Sequence, residues 1–291
     1  MDTAKSRTSS VPHSQKTRRK NPPSAPGSKP KSGGIQAVSS KMAKTALLLR
    51  SAELRKHVPS TRPLSRGTLA SMLDRYGMVY VKPDTGSMGI GVMRVEKNGG
   101  SCRYQSGKKI FAFKSITAMF PSIRRQAGTR RYLVQKGIRV LKHGGRPFDF
   151  RIMIQRNPAG RWACTGTAAR VASPGKIVSN GSQGGTIYAP KTLLDPVAGK
   201  AGTIRLLKRM DRLALLTAAK FGRAYPAMNE LGLDIAIDRK LKPWILEVNT
   251  RPDPCPFTKL DDQTAIRRIV RCAKAYGRRY SLVCGKAKKA P

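Results

Sequence analysis

The stretch from Leu233 to Thr250, LDIAIDRKLKPWILEVNT, constrains the fold more than any other part of this chain. Two alternating runs flank a polar connection, Arg239 to Lys242, and both read as strands with period two. With that connection as the loop, Asp238 pairs with Pro243 and Asp234 falls opposite Glu247. Directly opposed residues on antiparallel strands share a face, with Cβ atoms about 5 Å apart. Asn249, two residues past Glu247, projects to the same face. Two facing carboxylates repel, and this chain has only 15 Asp and Glu in 291 residues. Their placement together implies a cation between them. Two carboxylates and an amide oxygen are hard ligands of the kind Mg²⁺ takes when phosphates complete its shell. The alternative is an edge hairpin whose acids are simply solvated.

Charge is the compositional outlier. Lys and Arg number 58, for a formal net charge of +43. Residues 1–46 hold ten of these and one acid, so the folded part is itself strongly cationic. Such a field attracts polyanions: nucleic acid, nucleotides, acidic peptides or anionic surfaces. A basic surface with incidental nucleic-acid affinity fits the same numbers. No run of 18 apolar residues is present to span a membrane, and the basic N-terminus lacks the apolar core of a secretory signal. The five cysteines are scattered with no CxxC, which predicts free, mostly packed thiols in a reduced, cytoplasmic setting.

Along the chain, residues 1–46 are rich in Ser, Pro, Lys, Arg and Gly. Nearly without large apolar residues, they cannot offset ordering entropy, which predicts a disordered basic arm. A folded region over 47–280 and a Lys-rich tail over 281–291 follow. Residues 78–81 and 92–95 read as strands around the glycine-rich segment 84–91. Residues 115–126 read as a helix, and 151–155 with 162–170 as an antiparallel pair. Residues 203–225 carry an amphipathic stripe, and a basic amphipathic helix covers about 264–280. Strands and helices are grouped rather than alternating, which predicts an α+β fold.

The glycine-rich segment, Gly86-Ser87-Met88-Gly89-Ile90-Gly91, is neither a Rossmann fingerprint nor a P-loop. A glycine loop between two strands folds over phosphates and offers backbone N–H groups, unless it is a plain turn. Lys82 stands just before it, where an ammonium reaches phosphates as a point charge. Arg151 and Arg170, at one end of the middle pair, have guanidinium forks that suit phosphate or carboxylate oxygens. Asn180, with Gly184 and Gly185, allows close backbone approach to an anion. Gln135 offers polar contacts to a base or ribose.

Taken in order, these features resemble the ATP-grasp superfamily, and within it the YheC/YheD-like branch, described as endospore coat-associated. The strings that carry the resemblance are YGMVYVKPDTGSMGIGVMRV, FDFRIMIQ, TGTAARVASPGKIVSNGSQGG and LDIAIDRKLKPWILEVNTRP, within residues 54–275 or so. The resemblance implies two α+β subdomains with ATP and Mg²⁺ between them. It implies phosphate binding by Lys82 and the loop Gly86, Ser87, Met88, Gly89 and Gly91, with Gln135 and Asn180 as further nucleotide contacts. Metal ligation by Asp234, Glu247 and Asn249, and catalysis by Arg151 and Arg170, follow in the same way. The implied activity is a carboxylate–amine ligase working through an acyl phosphate, with carboxylate and amine substrates and an acidic acceptor favoured by the cationic cleft. The competing expectation is a cationic binding or structural protein with little turnover, on nucleic acid or a spore-coat surface. Many ATP-grasp enzymes carry a preceding α/β domain that helps bind the acceptor. Here only the basic arm precedes the fold, so that either the acceptor is bound by other surfaces or a partner, or catalysis has been reduced.

Overall fold

In a computed structural model, residues 37–179 and 184–290 are described, and they build two antiparallel-rich sheets with helices packed on them. The first sheet has the order β1 (Thr61–Pro63), β6 (Tyr132–Lys136), β2 (Met78–Pro83), β3 (Met93–Asn98), β4 (Ser101–Ser106), β5 (Lys109–Phe113). Helices α2 (Arg66–Tyr76) and α3 (Ile116–Ala127) cover one face of it. Leu69, Leu73, Met119 and Ile123 pack there on Val79, Val81, Val95 and Val134. Ser65 and Ser115 start these helices by accepting hydrogen bonds from the N–H groups of Thr68 and Ala118.

The second sheet runs β12 (Pro243–Asn249), β11 (Glu230–Ile237), β8 (Arg146–Arg156), β9 (Trp162–Val171), β10 (Thr186–Tyr188), β13 (Lys288–Lys289). The short β7 (Lys142–His143) pairs with β8. Alternation along β8 and β11 divides the sheet into two faces. Phe150, Ile152, Ile154, Leu231, Leu233 and Ile235 point to α4 (Pro190–Ala224) and α1 (Lys41–Leu49), forming the larger core. Each fully buried side chain of this size contributes roughly 1.5–3 kcal/mol. Helix α4 breaks at Gly199, where φ is +66°, a conformation glycine adopts without steric cost. On the opposite face, α5 (Thr264–Ala275) packs Ile266 and Ile269 against Met153 and Ala168. Asp149, Arg151 and Asp234 share the face of Met153. Asp234, Ala236 and Asp149 line a cavity with residues of the first sheet and of the loop after β2. The chain crosses from one sheet to the other at Gly137–Val140.

Three expectations need correction. The folded part begins before residue 46: Ser40 caps α1, and Lys41, Lys44, Leu47 and Leu48 are buried. Residues 1–36 lie outside the described residues. The stretch 281–291 does not run as a free tail: Cys284 is bonded to Cys255, and Lys288–Lys289 pair in parallel with β10. The cysteines are therefore not all thiols; Cys102, Cys164 and Cys272 are free. A sequence separation of 29 hides the bonded pair, which the fold brings to a Cα–Cα distance of 5.6 Å. Among the described residues, no helix is long and apolar enough to cross a membrane.

Candidate functional site

The hairpin of β11 and β12 pairs Asp234 with Glu247, and Gly232 with Asn249. The register arises in an unexpected way. Ile237 pairs with Pro243, so the connection is Asp238 to Lys242, one residue longer than expected. Asp238 organises this loop, accepting from Lys240 N at 2.9 Å, Lys242 N at 3.0 Å and Trp244 Nε1 at 2.8 Å. A bulge at Leu246 then shifts the ladder back, because Ile235 faces Ile245 while Asp234 faces Glu247. The Leu246 carbonyl accepts from Lys82 Nζ at 3.2 Å.

The two carboxylates do meet cations, and these are side chains. Asp234 lies opposite Arg151 on β8, and Asp149 opposite Arg170 on β9. Arg151 donates to Asp234 through Nε at 2.6 Å and Nη2 at 3.2 Å. Arg170 grips Asp149 through Nε at 2.8 Å and Nη2 at 2.6 Å, and its Nη2 lies 3.1 Å from Asp234. All four side chains are buried. Burial alone would raise the Asp234 carboxyl, but Arg151 and then Arg170 outweigh it and hold it at about 2. Burial likewise works against the Arg170 guanidinium, yet Asp149 and Asp234 hold its proton more firmly than usual. Glu247 is 3.4 Å from Lys41 Nζ. The facing acids therefore do not by themselves require a metal. Asp149 escaped the sequence reading. Its signal was its place two residues before Arg151, on the same face by alternation.

Lys82, at the end of β2, is buried and points to the second sheet. Its Nζ donates to Gln135 Oε1 at 2.7 Å. Desolvation lowers its ammonium to about 8, against the pull of Glu247. Gln135 also donates from Nε2 to Thr61 Oγ1 at 3.0 Å. Its amide thus holds Lys82 in place, with one N–H and one acceptor position still unused by these two partners. The glycine loop after β2 turns tightly, with Gly86, Met88, Gly89 and Gly91 all at positive φ. A Cβ on Gly91 would sit 2.7 Å from the Tyr132 hydroxyl, so the close approach there needs glycine.

Helix α1 supplies two cations that the arm reading concealed. Lys41 Nζ donates to Gly86 O at 2.8 Å, tying the loop to the helix. Asp84 accepts from Ser40 Oγ and from Met42 N, and so fixes the helix start beside the loop. Lys44 is buried next to them, and desolvation lowers its pKa.

Several of these groups line one cavity of about 130 Å³ between the sheets. Lys41, Lys82, Gly86, Ser87, Asp234 and Glu247 face it from the polar side. Tyr80, Ile138, Val140, Phe148, Ile177 and Leu246 make an apolar slot that would take a flat base. Ile138 and Val140, from the crossing between the sheets, were not singled out in the sequence. A second cavity of about 380 Å³ shares Ser87 and Glu247 with the first and contains Met88, Arg151, Arg170 and Asn249. Asn180 lies outside the described residues; its neighbour Ser179 lines the first cavity.

The donor set accommodates Mg²⁺ in a shared manner. Among the described residues no three of His, Cys, Asp and Glu form a metal cluster. Mg²⁺ commonly takes only one or two carboxylates and leaves the remaining positions to phosphate oxygens and water. Glu247 and Asn249 lie on one face of β12, and the Asn249 amide uses Nδ2 on Gly232 O, which leaves Oδ1 as an acceptor. Of the described partners of Asp234, a single donor reaches Oδ2, so one acceptor position remains there.

A family model described as YheC/D-like ATP-grasp matches residues 36–279. The endospore coat-associated proteins YheD and YheC of Bacillus subtilis (strain 168) are 26% and 25% identical to this chain, over 189 and 201 residues. These matches cover 63% and 67% of this chain but 41% and 55% of the relatives. The chain thus spans about half the length of the curated relatives it matches. Among solved structures, a biotin carboxylase β-γ-ATP complex from Campylobacter jejuni aligns with a TM-score of 0.51 at 16% identity, covering 84% of this chain and 47% of that one. At that identity the likeness is one of fold alone. The family match extends from before α1 to beyond α5 and takes in every strand of both sheets except β13, with the cavity between them, and the chain belongs to the YheC/D-like ATP-grasp family.

Proposed function

We propose that the chain is an ATP- and Mg²⁺-dependent carboxylate–amine ligase. A substrate carboxylate oxygen attacks the γ-phosphorus of ATP and ADP leaves; an amine then displaces phosphate from the acyl phosphate and an amide forms. Such chemistry asks the protein for positioning and charge neutralisation rather than covalent help. Lys82 and Lys41 would hold phosphate oxygens, with the N–H groups of the loop from Gly86 to Gly91. The apolar slot between Tyr80 and Leu246 would hold the base. Glu247, Asn249 and the open Oδ2 position of Asp234 would hold Mg²⁺, which when bound supplies charge neutralisation between the phosphates. Arg151 and Arg170, oriented by Asp234 and Asp149, would face the transferring group from the second cavity. The reading rests on one observation: Lys82, the glycine loop and Glu247 converge on a single cavity that continues past Ser87 into a second one. The test is ATP turnover by the purified chain across a panel of carboxylates and amines with Mg²⁺. ADP release that depends on one carboxylate and one amine supports the reading. Absence of ATP binding would sink it.

A second reading is a cationic binding protein with little turnover. The net charge of +43 favours it, as does the neutralisation of Asp234 by arginines rather than by a metal. The relatives' name, endospore coat-associated, points to a spore-coat surface as its target. Tight ATP binding without turnover on any substrate pair would select it.

A further inference from the structure

The second cavity has an outer wall that the ligase reading leaves unexplained. The wall is the segment Val283–Ala287, delivered from the C-terminal part of the chain to a cavity floored by Arg151 and Arg170. A disulfide and a strand pairing hold the segment, with minor side-chain contacts beside them. Cys284 is bonded to Cys255, which opens the single helical turn Cys255–Lys259, whose Phe257 is buried against Met153 and Ile269. Beyond the segment, β13 adds to β10 through Thr186↔Lys288 and Ile187↔Lys289. Two residue pairs of parallel strand hold weakly. Val283 is 89% exposed, so it anchors nothing. The Lys289–Asp261 ion pair is exposed at both ends and adds little, and Ala287 and Ala290 set only small side chains against the cores. The covalent bond is therefore the main fastening of the wall.

The charges of the cavity do not cancel. Arg151, Arg170 and Glu247 are engaged by Asp234, Asp149 and Lys41. Arg251 and Lys286 also line the cavity and have no ion-pair partner among the described residues. One further acid, Asp253, lines it, and its Oδ1 accepts from Cys255 N at 3.0 Å. An uncommitted guanidinium and an ammonium suit a small anion with carboxylate geometry.

We propose that this cavity binds a carboxylate-bearing anion and that the Cys255–Cys284 bond keeps it closed, so that reduction frees the Val283–Ala287 strap and releases the anion. The step is thiol–disulfide exchange with a dithiol. The dithiol supplies two electrons and two protons, Cys255 and Cys284 become thiols, and the dithiol leaves as a cyclic disulfide. Only the role of the anion as acceptor rests on the ligase reading; binding and release are measured without nucleotide.

The full chain is titrated calorimetrically with succinate and digested with trypsin, before and after treatment with dithiothreitol. Cys255→Ser/Cys284→Ser serves as a permanently open form, and circular dichroism checks its fold. Succinate is expected to bind the oxidised protein at least tenfold more tightly than the reduced one. Cleavage after Lys286 is expected to be at least tenfold faster once the bond is reduced. Arg251→Ala/Lys286→Ala should lose succinate binding with its circular dichroism unchanged. Equal protection of the strap in both redox states overturns the fastening. Absent succinate binding, or binding retained by Arg251→Ala/Lys286→Ala, overturns the anion site. If the cysteine variant does not fold, the oxidised and reduced wild-type samples still decide. Failure of ATP to bind in a separate titration counts against the ligase reading alone.

Discussion

Arg151 and Asp234 form a two-point ion pair, Nε to Oδ1 at 2.6 Å and Nη2 to Oδ2 at 3.2 Å, with both side chains buried at the centre of the second sheet. Its position matters for two reasons. It joins the strand that carries Asp234 to the strand pair that carries Asp149 and Arg170. It also leaves Glu247 as the more accessible of the two facing carboxylates, with 21% of its side chain exposed.

Breaking that pair from one side should be costly. Asp234→Asn leaves Arg151 buried without its counter-charge, a change that typically costs 3–5 kcal/mol in a buried pair. We expect a loss of about 3 kcal/mol in denaturant unfolding, with Arg170 still held by Asp149. Acid should have a related effect. The folded carboxyl sits at about 2, below its model value of 3.8. Its contribution is therefore fully present above 3.8 and disappears as pH falls through about 2, on the order of 2 kcal/mol. Wild-type stability that falls no more steeply than that of Asp234→Asn between pH 4 and about 2 would contradict this assignment.

Glu247→Gln should abolish Mg²⁺-dependent ATP turnover and leave the fold intact. Its ion pair with Lys41 is partly exposed, so its loss should cost roughly 1 kcal/mol or less. Turnover near the wild-type rate on a substrate pair the wild type uses would falsify the metal role.

Lys82→Ala should weaken ATP binding more than tenfold, measured by calorimetric titration. In the free protein burial sets this ammonium at about 8, against 10.5 when exposed. A folded value below the unfolded one means that charged Lys82 opposes folding below pH 8, and that this opposition fades between 8 and 10.5. Bound phosphates favour the charged form. ATP binding at pH 9 should therefore take up a proton, seen as a binding enthalpy that varies with the ionisation enthalpy of the buffer. Buffer-independent enthalpy at pH 9, also in wild type, would place Lys82 away from the phosphates.

Removal of residues 1–36 should leave folding and ATP binding unchanged and weaken polyanion binding in a salt-dependent way. Removal of 1–46 should do more. It takes away Ser40, which bonds Asp84, and Lys41, which ties the glycine loop at Gly86. We expect ATP affinity to fall at least tenfold between the two truncations. Equal affinities would mean that α1 is a bystander.

Period-two alternation was enough to read the Asp234–Glu247 pairing, the strand pair of Arg151 and Arg170, and the glycine loop beside Lys82, because each depends on neighbours close in sequence. Even there the pairing arose from a longer loop offset by a bulge at Leu246, whose carbonyl accepts from Lys82 of the other sheet. The sequence also determined the cationic character, the α+β grouping and the order of motifs that identifies the family. Tertiary structure alone decided which cations meet the acids. Arg151 reaches Asp234 across 83 residues, and Lys82 reaches Leu246 across 164. It alone recruited Lys41 and Lys44 from a segment whose composition reads as disordered, and it alone paired Cys255 with Cys284. Charge pairing and disulfide formation depend on distances in space, and a strongly basic chain offers many candidate partners for each acid. Strand pairing within the second sheet, and the packing of other segments on it, select among them.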